Sequence, residues 1–189
     1  MEPTAPVEIQ AEMTPNPNTL KFIVDRPVLE SGTANFPDRA KASYSPLATR
    51  LFEMKEITGV LIGTDFVTVT KTPEVEWPAL VYPVVDRLRA FFSSGEEAVS
   101  KAFLDTRTGP LLPQTETEKK ILEILELEIR PAVARDGGDI SFHGFENGVV
   151  KLHLEGSCSS CPSSIMTLKM GIENRLRQAV PEVREVQQV

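Results

Sequence analysis

The sequence predicts an α+β protein of two small domains, an N-terminal ββαββα unit and a C-terminal αββαβ unit joined by a linker. Three observations carry this expectation. Short β-branched runs alternate with segments of helical period in both halves of the chain. Residues 93–114, "SSGEEAVSKAFLDTRTGPLLPQ", break that pattern with Gly95, Gly109, Pro110 and Pro113. A length of 189 residues, with 41% apolar and 25% charged content, suits one large domain or two small ones. The expected boundaries are residues 1–92, a linker over 93–114 that has room for a short helical stub, and residues 115–189.

In the first domain, "LKFIV" (20–24) and "GTANF" (32–36) read as strands. Ser45 as N-cap and Pro46 at the first helical position open a helix over 45–54. The β-branched runs "EITGVLIG" and "FVTVTK" form a hairpin around Thr64-Asp65. A helix over 77–92 carries Leu80, Val84, Leu88 and Phe91 on one face, and Pro83 is expected to kink it or delay its start. This domain has neither Cys nor His, so recognition or support is its expected role.

In the second domain, Thr115 and Glu118 form a capping box ahead of "KKILEILELEIRPAVARD". Pro131 is expected to bend or break that helix, and Gly137 to take the left-handed position past its end. "DISFHGFENGVVKLHLEG" is a hairpin with two possible registers. A two-residue Asn147-Gly148 loop would pair Phe142 with His153 and divide the apolar residues between both faces. A three-residue loop, Glu146-Asn147-Gly148, sets Ile140, Phe142, Val150, Leu152 and Leu154 together, and one buried face requires that register. A final helix carries the stripe Ile165, Leu168, Ile172, Leu176, Ala179 and stops at Pro181, leaving "EVREVQQV" as a last short strand. Met166 and Met170 read as packing at the edge of that stripe, with adaptable contact to partner proteins as the secondary reading.

Net charge is −7, with 9 Lys+Arg against 12 Asp+Glu in each of residues 1–92 and 115–189. Neither half offers phosphates a basic field, so nucleic acid is not an expected partner. No apolar run reaches the ~18–20 residues of a membrane span. The acidic start "MEPTAPVEIQAEM" resembles neither a signal nor a transit peptide. The chain reads as a soluble, cytoplasmic (bacterial) protein, or alternatively as a mitochondrial one after removal of a transit peptide.

Two cysteines, Cys158 and Cys161, stand three apart in "EGSCSSCPSSIMTLKMG". Their spacing restrains little chain, which excludes a disulfide framework. Pro162 fits the first position of the last helix, so Cys161 is its N-cap and both sulfurs are expected to have thiolate character there. A thioredoxin-like redox role lacks room, because only 28 residues follow Cys161. His143 and His153 fall on the polar hairpin face; at ~3.3 Å per residue, His153 lies roughly 16 Å of extended chain from Cys158. An in-chain Cys₂His₂ site is therefore disfavoured. What remains is half of a metal site, completed by a second chain about a two-fold axis.

Several segments carry a family resemblance: "RDGGDI", "GSCSSCPSSIMTLKMGIENRL" and "VPEVREV" behind, and "MTPNPNTLKF", "LESGTANF", "SPLATRLFE" and "EWPALVYPVVDRLRAFF" in front. Over nearly the full chain the sequence resembles NifU-like (Nfu-type) iron–sulfur scaffold and carrier proteins. The resemblance implies a non-enzymatic carrier in which Cys158 and Cys161 bind a [4Fe–4S] cluster, with [2Fe–2S] also open, across a cluster-dependent homodimer. It implies upstream cluster-assembly proteins and apo iron–sulfur clients as partners, with transfer by thiolate exchange. The alternatives are a zinc-linked dimerisation module and a dithiol redox protein. In "DGGD", helix termination and a tight strand entry account for Gly137 and Gly138; a cluster-proximal role for Asp136 or Asp139 is the secondary reading.

Overall fold

Two hydrophobic cores form, one in each of the units Met1–Arg107 and Thr108–Val189 into which the chain divides. The computed structural model describes residues 6–106, 113–159 and 162–189.

The first unit is a five-stranded antiparallel sheet with helices. Its elements are β1 (Ile9–Met13), β2 (Thr19–Val24), β3 (Ala34–Phe36), α1 (Pro46–Phe52), β4 (Ile57–Ile62), β5 (Phe66–Lys71), α2 (Trp77–Ser94) and α3 (Lys101–Thr106). Strand order is β1-β2-β5-β4-β3. Alternation sends Leu20 and Phe22 of β2, and Val67 and Val69 of β5, into a core with Phe36, Leu51, Leu88 and Phe91. The sequence reading did not anticipate β1. Only Ile9 is partly buried in it, so this edge strand shows no alternation and is held by backbone pairing to β2.

Ser45 caps α1 as expected, its Oγ accepting the Ala48 N–H at 2.9 Å. α2 begins at Trp77 and continues through Pro83 to Gly95, which closes it with φ +73°. Proline removes one backbone donor, yet the start is not delayed, because Leu80, Val84, Leu88 and Phe91 all bury along one face. The first part of the expected linker belongs to this unit. Ala98 and Val99 are buried, and the Phe103 ring lies 5.2 Å from that of Phe36 and 5.3 Å from that of Tyr44. Ser45 Oγ also donates to the Ala98 carbonyl at 2.5 Å. These apolar residues are too scattered to give a periodic signal. Residues 107–112 of the expected linker lie outside the described residues.

The second unit contains α4 (Glu116–Ile124), a π-helical segment Leu125–Ile129, α5 (Arg130–Arg135), β6 (Gly138–Glu146), β7 (Val149–Gly156), α6 (Pro162–Ala179) and β8 (Glu185–Gln188). Thr115 Oγ1 accepts the Glu118 N–H at 3.1 Å, and Glu118 reaches back to the Gln114 N–H at 2.6 Å, one residue before the N-cap. Pro131 does not break the helical path. It sits in the first turn of α5, directly after the chain widens into the π segment.

The hairpin combines both registers considered from sequence. Its loop is the two-residue Asn147-Gly148 turn, both residues at positive φ (52° and 82°), with Glu146 facing Val149. A bulge at His143 then shifts the pairing, so that Phe142 faces Leu152 and Ile140 faces Leu154. The extra residue recovers the single apolar face that the three-residue loop was invoked to provide, and it brings Phe145 onto that face beside Phe142. β8 adds to β7 in parallel. The buried stripe of α6 runs on into Val180, one residue past the helix, whereas Ala179 is exposed.

Ser45→Ala removes the α1 cap and a buried bond to the segment before α3. It is expected to cost the first unit about 1–2 kcal/mol, read by urea unfolding through the fluorescence of Trp77, the only tryptophan.

Candidate functional site

The site is built where α5 ends and the hairpin closes. Gly137, at φ +77°, terminates α5 with its N–H on the Ala134 carbonyl at 3.1 Å. Gly138 then opens β6 directly opposite Gly156, the last residue of β7. Gly156 is itself left-handed (φ +65°) and turns the chain back. Ser157 is tied across the junction: its N–H donates to the Gly137 carbonyl at 3.2 Å and its Oγ to the Asp136 carbonyl at 2.5 Å. Ser159 closes the turn, Oγ and N–H both on the Gly156 carbonyl. α6 begins at Pro162, as the proline pattern predicts.

Cys158 points inward. It is 7% exposed and forms part of the second core, with its Sγ 3.6 Å from Ser157 Oγ. Burial raises the thiol pKa above its ordinary value of 9.0. The Ser157 hydroxyl pulls it partly back, and the carboxylates of Asp136 and Asp139 push it further up. The expectation of thiolate character is therefore corrected for Cys158, because burial away from water disfavours the charged sulfur. Cys161 lies outside the described residues.

The "DGGD" carboxylates play different parts. Asp139 is buried, and its Oδ1 accepts Arg130 Nε at 3.0 Å and the Ile140 N–H at 2.7 Å. Arg130 also donates to the Ile140 carbonyl at 2.7 Å and bonds Glu126 at 2.6 Å. This guanidinium clamps the start of α5 to the start of β6, a bracing role that sequence did not suggest because Arg130 and Asp139 sit on separate elements. The histidines neighbour each other across the hairpin, ring centroids 5.9 Å apart, and His153 Nδ1 lies 2.7 Å from the Val189 carbonyl. Among the described residues no three His, Cys, Asp or Glu side chains gather to hold a metal ion. Met166 and Met170, expected at the packed edge of α6, are instead 60% and 58% exposed.

The pKa shift gives a signed expectation. With Cys161→Ser leaving one thiol, Cys158 should be neutral at pH 7. Its alkylation by iodoacetamide should run at least tenfold below that of free cysteine at pH 7.5 and climb only above pH 9. A rate profile against pH, with a midpoint below 8, would contradict the burial argument.

Two family models match the chain: the NifU-like domain over residues 121–187 and the scaffold protein Nfu/NifU N-terminal domain over residues 9–95. Across 184 residues it is 46% identical to the Homo sapiens protein named "NFU1 iron-sulfur cluster scaffold homolog, mitochondrial", covering 96% of this chain and 71% of that one. The Drosophila erecta protein of the same name is 46% identical over 182 residues, which cover 96% of this chain and 64% of that one. A solution structure of a NifU-like protein from Saccharomyces cerevisiae is similar with a TM-score of 0.45 and 27% identity, over 53% of this chain and 91% of that one. No helix among the described residues is long and apolar enough to cross a membrane. The chain belongs to the Nfu family of iron–sulfur cluster scaffold proteins, a family of carriers rather than enzymes.

Proposed function

We propose that this protein carries a [4Fe–4S] cluster on Cys158 and Cys161 of two chains and passes it to apo-proteins by thiolate exchange. The observation that carries the reading is that the chain's only two thiols stand together ahead of α6, two donors where a cluster wants about four. A second copy related by a two-fold axis supplies the other pair from the same patch. In transfer, an incoming client thiol loses its proton and bonds iron as Cys158 or Cys161 leaves and takes a proton up. No electron moves. Partners are upstream assembly proteins and apo iron–sulfur clients. The relatives named above are mitochondrial, which favours the organellar reading over a bacterial cytoplasm.

The first unit, lacking Cys and His, serves recognition or delivery. A fragment of residues 113–189 is accordingly expected to take up as much iron and sulfide per chain as the whole protein; loss of uptake would place a ligand in the first unit.

Anaerobic reconstitution with iron, sulfide and zinc analysis and sedimentation tests the central reading. One [4Fe–4S] cluster per two chains is expected, with the dimer weakening on chelation. Cys158→Ser and Cys161→Ser should each abolish stable binding, since either change removes two of four ligands from a symmetric dimer. A cluster-loaded monomer, or full content in either variant, would refute it; zinc without sulfide would favour the dimerisation module.

A further inference from the structure

Gly138 differs from the glycines around it. Gly137, Gly148 and Gly156 have positive φ and are required by backbone conformation, whereas Gly138 does not. It is required by space. A Cβ at this position would lie 2.6 Å from Cys158 Sγ, 3.2 Å from Cys158 Cβ and 2.9 Å from the Glu155 carbonyl oxygen. The thiol thus occupies the volume that a side chain on residue 138 would fill. Behind it, the turn is fastened to the end of α5 through the two bonds from Ser157 to the carbonyls of Asp136 and Gly137.

With Cys158 only 7% exposed and packed in one chain's core, its sulfur must turn outward to meet iron that is shared with another chain. We propose that Gly138 and Ser157 are positioning residues for the cluster ligand: they hold the Cys158 thiol in an inward pocket, and release of the Ser157 latch turns it outward to bind iron. This inference rests on the proposed role of Cys158 as a cluster ligand. The pocket shelters the thiol from oxidants and competing metals, and the latch sets how readily it becomes a donor.

The test uses the full chain. In the Cys161→Ser background, 5,5′-dithiobis(2-nitrobenzoate) reports exposure of Cys158 alone. Ser157→Ala removes one hydrogen bond of the latch and should speed the reaction about fivefold. Gly138→Ala fills the pocket and should speed it at least tenfold. Because Gly138→Ala also crowds the Glu155 carbonyl, its effect on urea unfolding is compared with and without Cys158→Ala. The pocket predicts a smaller destabilisation once the sulfur is gone, whereas a purely structural glycine gives additive losses. With both cysteines present, Ser157→Ala should also raise the initial rate of iron and sulfide uptake several-fold. Unchanged thiol rates, additive stabilities or unaltered uptake would each overturn the proposal, and Ser157→Ala decides it if Gly138→Ala does not fold. A parent chain that takes up no iron and sulfide would instead overturn the cluster reading, a result that the thiol kinetics cannot mimic.

Discussion

Where Gly138 faces Gly156, the end of α5, both hairpin strands and the turn toward α6 meet within a few residues. The rest of the second unit is arranged around this pairing. β6 can begin there because Gly137 ends α5 in a left-handed turn. Arg130 holds α5 against that start through Asp139 and the Ile140 carbonyl. On the other strand, the left-handed Gly156 returns the chain so that Ser157 can bond back across the junction. A one-residue slip here would move Ile140 and Leu154 off the core face and carry Cys158 away from the space above Gly138.

The hairpin shows how far sequence reasoning reaches. Asn147-Gly148 announces a two-residue turn, and the apolar residues demand a register that this turn cannot give by itself. Sequence forces a choice between them; the molecule satisfies both by inserting a bulge at His143. Elements that bury an alternating or periodic face, such as β2, β5, α2 and α6, were legible from the spacing of their apolar residues. Elements that do not were missed or misplaced. β1 is an exposed edge held by its backbone; the short helix α3 fits the stub expected in the linker, but its segment docks on the first core by Ala98, Val99 and Phe103 without any period to announce it.

At the site, the identity of the two cysteines was plain from sequence, since no other thiols exist. Their environment was not. Proximity to a helix start argued for thiolate, and the position of Pro162 was read correctly. What spacing cannot reveal is which way a side chain turns. Cys158 turns into the core, where loss of water and two nearby carboxylates all favour the protonated form. Gly138 was likewise attributed to strand entry, because its partner in space lies 20 residues away in sequence.

Burial and cluster carriage make opposing demands on one sulfur, and the proposed function draws on both. A ligand that bound iron irreversibly would make a store, and one that never left the core would make no site. On the proposed reading, with two cysteine ligands per chain, each metal–sulfur bond would open separately, so release would need no global unfolding. A Cys158 that left iron would then have a defined place to go: repacking against Gly138 would restore its contacts with the core, and protonation there would remove it as a competitor for the iron just surrendered. On that proposal, the pocket that slows loading would also favour completion of transfer. The cost would fall on the empty scaffold, which would have to break the Ser157 latch before accepting another cluster.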